Sequence, residues 1–234
     1  MAYQMYDRVQ IKQEAKERLR ENRNPAIVVF LLVLVFTVLV NAFTLRYNTT
    51  HPMNDQTTVR TSYSINIVSL FLSPMFVVSA AGFFLGLYRG QKLTVNDWFN
   101  TLFSDYLRRL IGMLWQTLWV FLWSLLLVIP GLIKAIAYSM QPYILAECPN
   151  VDPRYALKLS MRMTDGYKMD IFVMGLSFLG WNLLGALTFG ILTVVFAGPY
   201  ERLSMAGLYD ELKKNALDRG VITQAELDGE AMVP

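Results

Sequence analysis

The sequence predicts an all-α fold, a polytopic membrane helical bundle of about six transmembrane helices. They form three parallel hairpin repeats joined by cytoplasmic amphipathic helices. Three observations carry this prediction: the composition, the clumping of charge, and an internal repetition. The 234 residues are 54% hydrophobic and only 17% charged, with a mean hydropathy of +0.36, whereas soluble domains carry about 25% charged residues. About 20 apolar residues cross a hydrocarbon core of roughly 30 Å. Residues 25–45, 65–88, 110–129 and 171–200 contain no ionisable side chain other than tyrosine.

Spans are accordingly placed at about 25–45, 65–88, 110–129, 131–147, 170–187 and 188–209. Residues 1–24 form a cytoplasmic N-terminal basic helix, 25–210 the six-span membrane domain, and 211–234 a cytoplasmic acidic tail expected to be loosely ordered. Six Lys/Arg and four acids precede the first apolar run, and no small-residue cleavage site ends it. That run is therefore expected to remain as a span. Basic residues are retained on the cytoplasmic side. Eighteen of the 21 Lys and Arg fall in the N-terminal segment, the tail and the two long connectors. Only Arg46, Arg60 and Lys134 are left for the outer turns, so both termini are expected to be cytoplasmic.

The repetition fixes the pairing of spans. Trp123-Ser124-Leu125-Leu126, then Pro130-Gly131, then Pro142-Tyr143 recur as Trp181-Asn182-Leu183-Leu184, Phe189-Gly190 and Pro199-Tyr200, at offsets of 57 to 59 residues. Each unit reads as a connector, a helix, a glycine turn, a second helix and a Pro-Tyr kink. The first two spans form a diverged third copy. Pro130-Gly131 and Phe189-Gly190 are expected at outer hairpin tips.

In the first connector, Thr94 or Asn96 caps a helix with Trp98, Leu102, Tyr106 and Arg109 at helical spacing. Phe99 and Phe103 beside them suit a helix lying in the membrane interface. In the second, Ala156, Leu159 and Met163 share a face of a helix opened by Pro153. The outer segment from Arg46 to Ser64 is rich in Thr, Asn and Asp and reads as a long loop; its Asn48-Thr49-Thr50 is formally a glycosylation acceptor.

Small residues four apart mark close helix contacts: Gly82, Gly86 and Gly90; Gly131, Ala135 and Ser139; Ala186 with Gly190. Lys134, Tyr138 and Gln141 lie on one side of the short span, with Gln116 and Asn182 as the other mid-span polar residues. An ionisable residue at membrane depth is a functional candidate; against this, Lys134 lies close enough to the outer surface to snorkel to headgroups. These five form the candidate polar groove. No catalytic residue, metal site or cofactor is assigned. His51 is the sole histidine and Cys148 the sole cysteine, which excludes an intramolecular disulfide and a cysteine-cluster metal site.

The stretches LLLVIPGLIKAIAYSMQPYILAE (125–147), ALKLSMRMTDGYKMDIFVMGLSFLGWNLLGALTFGI (156–191) and GPYERLSMAGLYDEL (198–212) resemble an uncharacterised family of bacterial integral membrane proteins, domain of unknown function 975. The resemblance covers roughly the last two-thirds of the chain, with Thr164-Asp165 before Gly166 as a departure. It implies a multi-helix protein of the bacterial plasma membrane and carries over no catalytic residue. A fainter architectural similarity, to membrane regions joined to lipid-cleaving phosphodiesterases, implies lipid-linked work.

The first functional expectation is a non-enzymatic scaffold or regulatory partner of other membrane components. The alternative is a lipid or small-molecule carrier with a groove between helical repeats; the third, a membrane enzyme, would rest on His51 or Cys148. The expected partners are the lipid bilayer and other membrane proteins or further copies of the chain, with no nucleic acid.

Overall fold

A computed structural model describes residues 7–42, 45–54, 57–65 and 67–230, without the side chains of 41–67. The readings on His51 and Asn48 therefore lie outside the described side chains. The described chain is helical with one β-hairpin. Helix α1 (Arg8–Glu21) is followed by α2 (Arg23–Ala42), strands β1 (Leu45–Asn54) and β2 (Thr57–Ile65), and α3 (Ile67–Tyr88). Then come α4 (Val95–Leu102), α5 (Tyr106–Leu126), α6 (Val128–Ala137), α7 (Gln141–Glu147) and α8 (Pro153–Met163). Helix α9 (Lys168–Leu187), a π-helical segment (Thr193–Ala197), α10 (Gly198–Asp218) and α11 (Gln224–Leu227) complete it. Four stretches, Arg23–Val40, Val68–Tyr88, Tyr106–Leu126 and Lys168–Leu187, are long and apolar enough to cross a membrane.

The chain folds into three antiparallel helical hairpins. In the first, Phe36 of α2 stacks on Phe76 of α3 at 3.5 Å, and β1–β2 prolongs the same hairpin, pairing Leu45 with Ile65 and Thr49 with Thr61. The outer segment read as a loop is thus a β-ribbon. Its Tyr47, Thr49, Thr50, Thr58, Val59, Thr61 and Tyr63 are the β-branched and aromatic types that favour strands. In the second hairpin, Gly131 of α6 sits against Ser124 of α5. In the third, Gly185 of α9 faces Thr193, and Phe178 packs edge-on against Tyr200.

The tips differ from expectation in one case. Phe189 and Gly190 form the third hairpin's turn, with φ of 51° and 84°, the left-handed region glycine favours. In the second, however, the chain reverses at Leu127, whose extended backbone (φ −160°, ψ 146°) separates α5 from α6. Pro130 and Gly131 lie inside the first turn of α6. Proline is tolerated there because the first-turn N–H groups have no intrahelical partner anyway.

Each returning limb carries a proline: Pro74 inside α3, Pro142 in the first turn of α7 and Pro199 in the first turn of α10. The second limb breaks just before its proline. Ala137 O, freed at that break, accepts from Ser160 Oγ at 2.8 Å and Thr164 Oγ1 at 3.2 Å. In the third limb the π-helical segment occupies the same place. Tyr143 stacks on Tyr209 at 5.2 Å, whereas Tyr200 packs against Phe178 and Phe196.

The three returning limbs converge. A Cβ added at Gly82 of α3 would meet the Ala146 Cβ of α7 at 3.0 Å, and Gly207 of α10 admits the Tyr88 ring. Gly86 faces Gln91 and Leu93 of its own turn, and Gly90, at φ 82°, makes that turn beside Arg18. Ala135 and Ser139 are half-buried and Ala186 is exposed, so that last pair is not a packing seam: Gly190 serves the turn, and Gly185 makes the close approach. At the end of the limbs Arg89 pairs with Glu147 at 2.8 Å and with Asp210 at 2.5 Å. Lys213 and the Tyr209 hydroxyl also reach Glu147, at 2.8 and 2.6 Å. Burial works against the Arg89 charge, but these two carboxylates outweigh it and raise its pKa.

The amphipathic helices close this end. Helix α1, capped by Asp7, buries Ile11, Ala15 and Leu19, and its Glu14 accepts from the Tyr88 hydroxyl at 2.7 Å. Helix α4 has a capping box of Thr94 and Asp97 and buries Trp98 and Leu102, and α8 buries Ala156, Leu159 and Met163. The α8 face is the one the spacing predicts, whereas α4 stops at Leu102, so Tyr106 and Arg109, read as part of the same helix, belong to α5.

The expected loose tail is instead docked through Glu230. Ile222 and Leu227 are buried, and Glu226, only 4% exposed, pairs with Arg162 at 2.6 Å. Burial would raise the Glu226 carboxyl, but hydrogen bonds from Arg162, Tyr155 and Thr223 outweigh it and hold it at about 2. A depressed acid stabilises docking fully above its ordinary value of 4.5, and that contribution fades as pH falls from there toward 2. Hydrogen exchange of residues 219–230 is expected to be slow at pH 7 and to accelerate across this window. Glu226→Gln should show the fast exchange already at pH 7.

Candidate functional site: a tryptophan-lined cationic groove

Helix α5 places Trp115, Trp119 and Trp123 at successive four-residue steps, which puts three indoles on one face. Because α6 folds back antiparallel after Leu127, Lys134 and Tyr138 come to lie beside that face. Helix α8 supplies the opposite wall. Its start is held by Asp152, which accepts from the N–H groups of Arg154 and Tyr155 at 2.8 and 3.1 Å. Arg154, Lys158 and Met161 then follow at i, i+4 and i+7. Together these residues enclose an open groove of about 660 Å³, within the size range of small-molecule sites.

Lys134 and Arg154 are held by ring faces rather than carboxylates. Lys134 Nζ lies 5.0 Å from the Trp123 ring centre and 6.0 Å from that of Tyr138, and 3.9 Å from Met161 Sδ. Arg154 lies 5.3 Å over Trp115, which itself meets Trp119 edge-on at 5.9 Å. Such contacts contribute about 0.5–2 kcal/mol each. Among the described residues no ion pair forms to Lys134, Arg154 or Lys158. Asp152 is the one carboxylate lining the groove, which leaves an excess of two positive charges. The half-buried Lys134 ammonium is turned onto α5 and α8.

The other three expected groove residues are elsewhere. Gln141 is fully buried, and its Nε2 donates to Gly112 O at 3.0 Å and Pro153 O at 3.2 Å. It therefore ties α7 to α5 and α8 rather than facing the groove. The Gln116 Oε1 is buried without a partner and is not part of the lining. Asn182 borders a separate apolar cavity of about 630 Å³ beside Gly185, Ala186 and Phe189. The five thus split into a Lys134–Tyr138 pair at the groove and three separate positions, because Gln141 falls past the break after Tyr138 and so leaves the face of α6. The three tryptophans and the Arg154–Lys158 pair went unread, although their four-residue spacing was visible in the sequence.

Cys148 lies at the end of α7, outside the groove lining. It is buried, and burial with the neighbouring Glu147 pushes its thiol up to about 11. Among the described residues no group of three His, Cys, Asp or Glu side chains is placed to hold a metal. What the groove can do is bind. Its aromatic floor accepts apolar chains, and its unpaired cations accept an anionic group.

One family model, described as Protein of unknown function (DUF975), matches residues 5–136 and 113–216. No curated protein and no solved structure matches the chain.

Proposed function

The chain belongs to the family described as protein of unknown function (DUF975), and on that premise we propose that it is a non-enzymatic membrane protein that holds an anionic phospholipid in the α5–α6–α8 groove. The observation that carries this reading is the triple tryptophan face with three cations that have no carboxylate partner. An acyl chain lies along Trp115, Trp119 and Trp123, and the headgroup phosphate sits among Lys134, Arg154 and Lys158. This favours the carrier expectation over the scaffold, for which the geometry offers no comparably specific surface.

The membrane setting is part of the proposal. Six crossings arise if the broken α6–α7 limb and the π-interrupted limb into α10 cross beside the four long helices. Three hairpins, each with a proline in its returning limb, support reading them as parallel repeats. The distribution of Lys and Arg supports a plasma-membrane, multi-pass arrangement with both termini cytoplasmic, and the resemblance supports a bacterial host.

The test is fluorescence quenching in vesicles by phospholipids with brominated acyl chains. At equal bromine content, brominated phosphatidylglycerol among plain phosphatidylcholine should quench more than the converse mixture. Trp115→Phe, Trp119→Phe and Trp123→Phe together should remove the excess.

A further inference from the structure

A second site lies away from the groove, between α3, α4 and α5. Trp98 is 1% exposed and Arg109 is 5% exposed, yet the Trp98 Nε1 and the Arg109 Nε have no hydrogen-bond partner. Both residues line one cavity of about 220 Å³.

Arg109 is otherwise held through neutral acceptors. Its Nη1 donates to Thr101 O at 2.7 Å, and its Nη2 to Ser104 Oγ at 2.8 Å. Among the described residues it forms no ion pair. The Asp105 carboxylate favours the Arg109 charge without pairing with it; a buried cation without a paired counter-charge costs several kcal/mol, and each orphaned buried donor adds to that cost. Two unused N–H donors, one of them cationic, on residues that line one cavity call for a hydrogen-bond acceptor there. Its volume is below the ~300 Å³ of ordinary ligand pockets, so it suits a headgroup-sized anion rather than a larger ligand.

The surroundings narrow the chemistry. Phe99 of α4 and Phe103, just past its end, are 46% and 72% exposed. They give α4 an apolar edge suited to the membrane interface. Asp97 is the one carboxylate lining the cavity, and its Oδ2 is already engaged by the N–H and hydroxyl of Thr94. Its negative charge disfavours a multiply charged guest.

We infer that the cavity between α3, α4 and α5 is a site for a phosphate-class oxyanion, held by Trp98 Nε1–H and Arg109 Nε–H. The phosphodiester of a phospholipid headgroup and free inorganic phosphate share this chemistry, and the former, singly charged, fits the Asp97 constraint better.

The test uses the whole chain carrying Lys134→Met, Arg154→Gln and Lys158→Met, so that the groove keeps no cation. Thermal unfolding is followed in two arms. In detergent free of other oxyanions, inorganic phosphate is titrated at constant ionic strength. In vesicles of a phosphate-free galactolipid, phosphatidylcholine is added in steps. Binding to the folded state raises the unfolding temperature in step with RT ln(1 + [L]/Kd), so the ligand concentration at which the rise sets in reports the apparent affinity.

Stabilisation in the vesicle arm alone identifies the lipid headgroup, and stabilisation in the detergent arm identifies free phosphate. In whichever arm responds, Trp98→Phe, which keeps the ring and loses only the donor, should weaken apparent affinity about tenfold. Arg109→Lys should weaken it further if it folds. No stabilisation in either arm, or equal midpoints for Trp98→Phe and its parent, overturns the inference and leaves water as the occupant.

Discussion

Lys134→Glu combined with Lys158→Glu is expected to abolish the preference for anionic over zwitterionic phospholipid while leaving the fold intact. Each lysine supplies a charge-assisted contact to a phosphate, in the range of about 1.5–3 kcal/mol when well formed, reduced here because Lys158 is exposed. Losing both, with two carboxylates added beside Asp152, should lower affinity for the anionic lipid at least about tenfold. The fold should survive because neither lysine holds an ion pair among the described residues, and the loss is confined to the Lys134 contacts with Trp123 and Tyr138, about 0.5–2 kcal/mol each. Lys134→Met separates charge from shape, since methionine can still lie against Trp123 and Met161. It should lose part of the preference at only a small cost in thermal stability. Retained lipids, extracted and quantified after purification, give the readout.

Arg89→Ala is expected to be the most damaging single change at the convergence of the returning limbs. It leaves Asp210 without its ion pair and Glu147, 20% exposed, with only Lys213 and the Tyr209 hydroxyl. Breaking a buried pair costs about 3–5 kcal/mol. Because the Arg89 side chain is 33% exposed, about 2 kcal/mol is the appropriate expectation. For a chain of this length that is a fall of roughly 4–8 °C in melting temperature. Arg89→Lys should recover only part of it, since an ammonium cannot span both carboxylates as the guanidinium fork does. Arg18→Ala, which removes an exposed pair with Glu21 on one helix, should change the melting temperature little. Equal effects from Arg18→Ala and Arg89→Ala would mean that the limbs are not tied through this cluster.

Much of the helical architecture was legible because apolar run length and periodicity report directly on where helices form and which faces pack. The helices of the connectors, with their Thr94 cap and the Ala156–Leu159–Met163 face, follow from spacing alone. So does the turn at Phe189-Gly190, where positive φ needs a glycine. Pro130-Gly131 misled because a proline fits a helix's first turn as well as a hairpin tip, and only the partner limb decides between them. The β-ribbon was hidden by its polarity, although threonine and tyrosine are strand-formers.

The tail looked disordered because its order comes from one distant pair, Arg162 with Glu226, 64 positions apart in the chain. The same holds for the candidate site. Lys134 and Tyr138 stood out as a polar pair within an apolar run, but the walls that make them a groove come from α5 and α8. Gln141 shares their spacing and still leaves the site, because the helix breaks between them. The Arg89 cluster draws on three limbs, and no local pattern announces it.

The central claim is that an anionic phospholipid rests on the α5 tryptophan face. Quenching by brominated lipids tests it most directly, because bromine reports only on indoles that the acyl chain touches. The account predicts excess quenching by brominated phosphatidylglycerol, lost on replacing Trp115, Trp119 and Trp123 by phenylalanine and lost again in Lys134→Glu/Lys158→Glu. Equal quenching by brominated phosphatidylglycerol and phosphatidylcholine would contradict it.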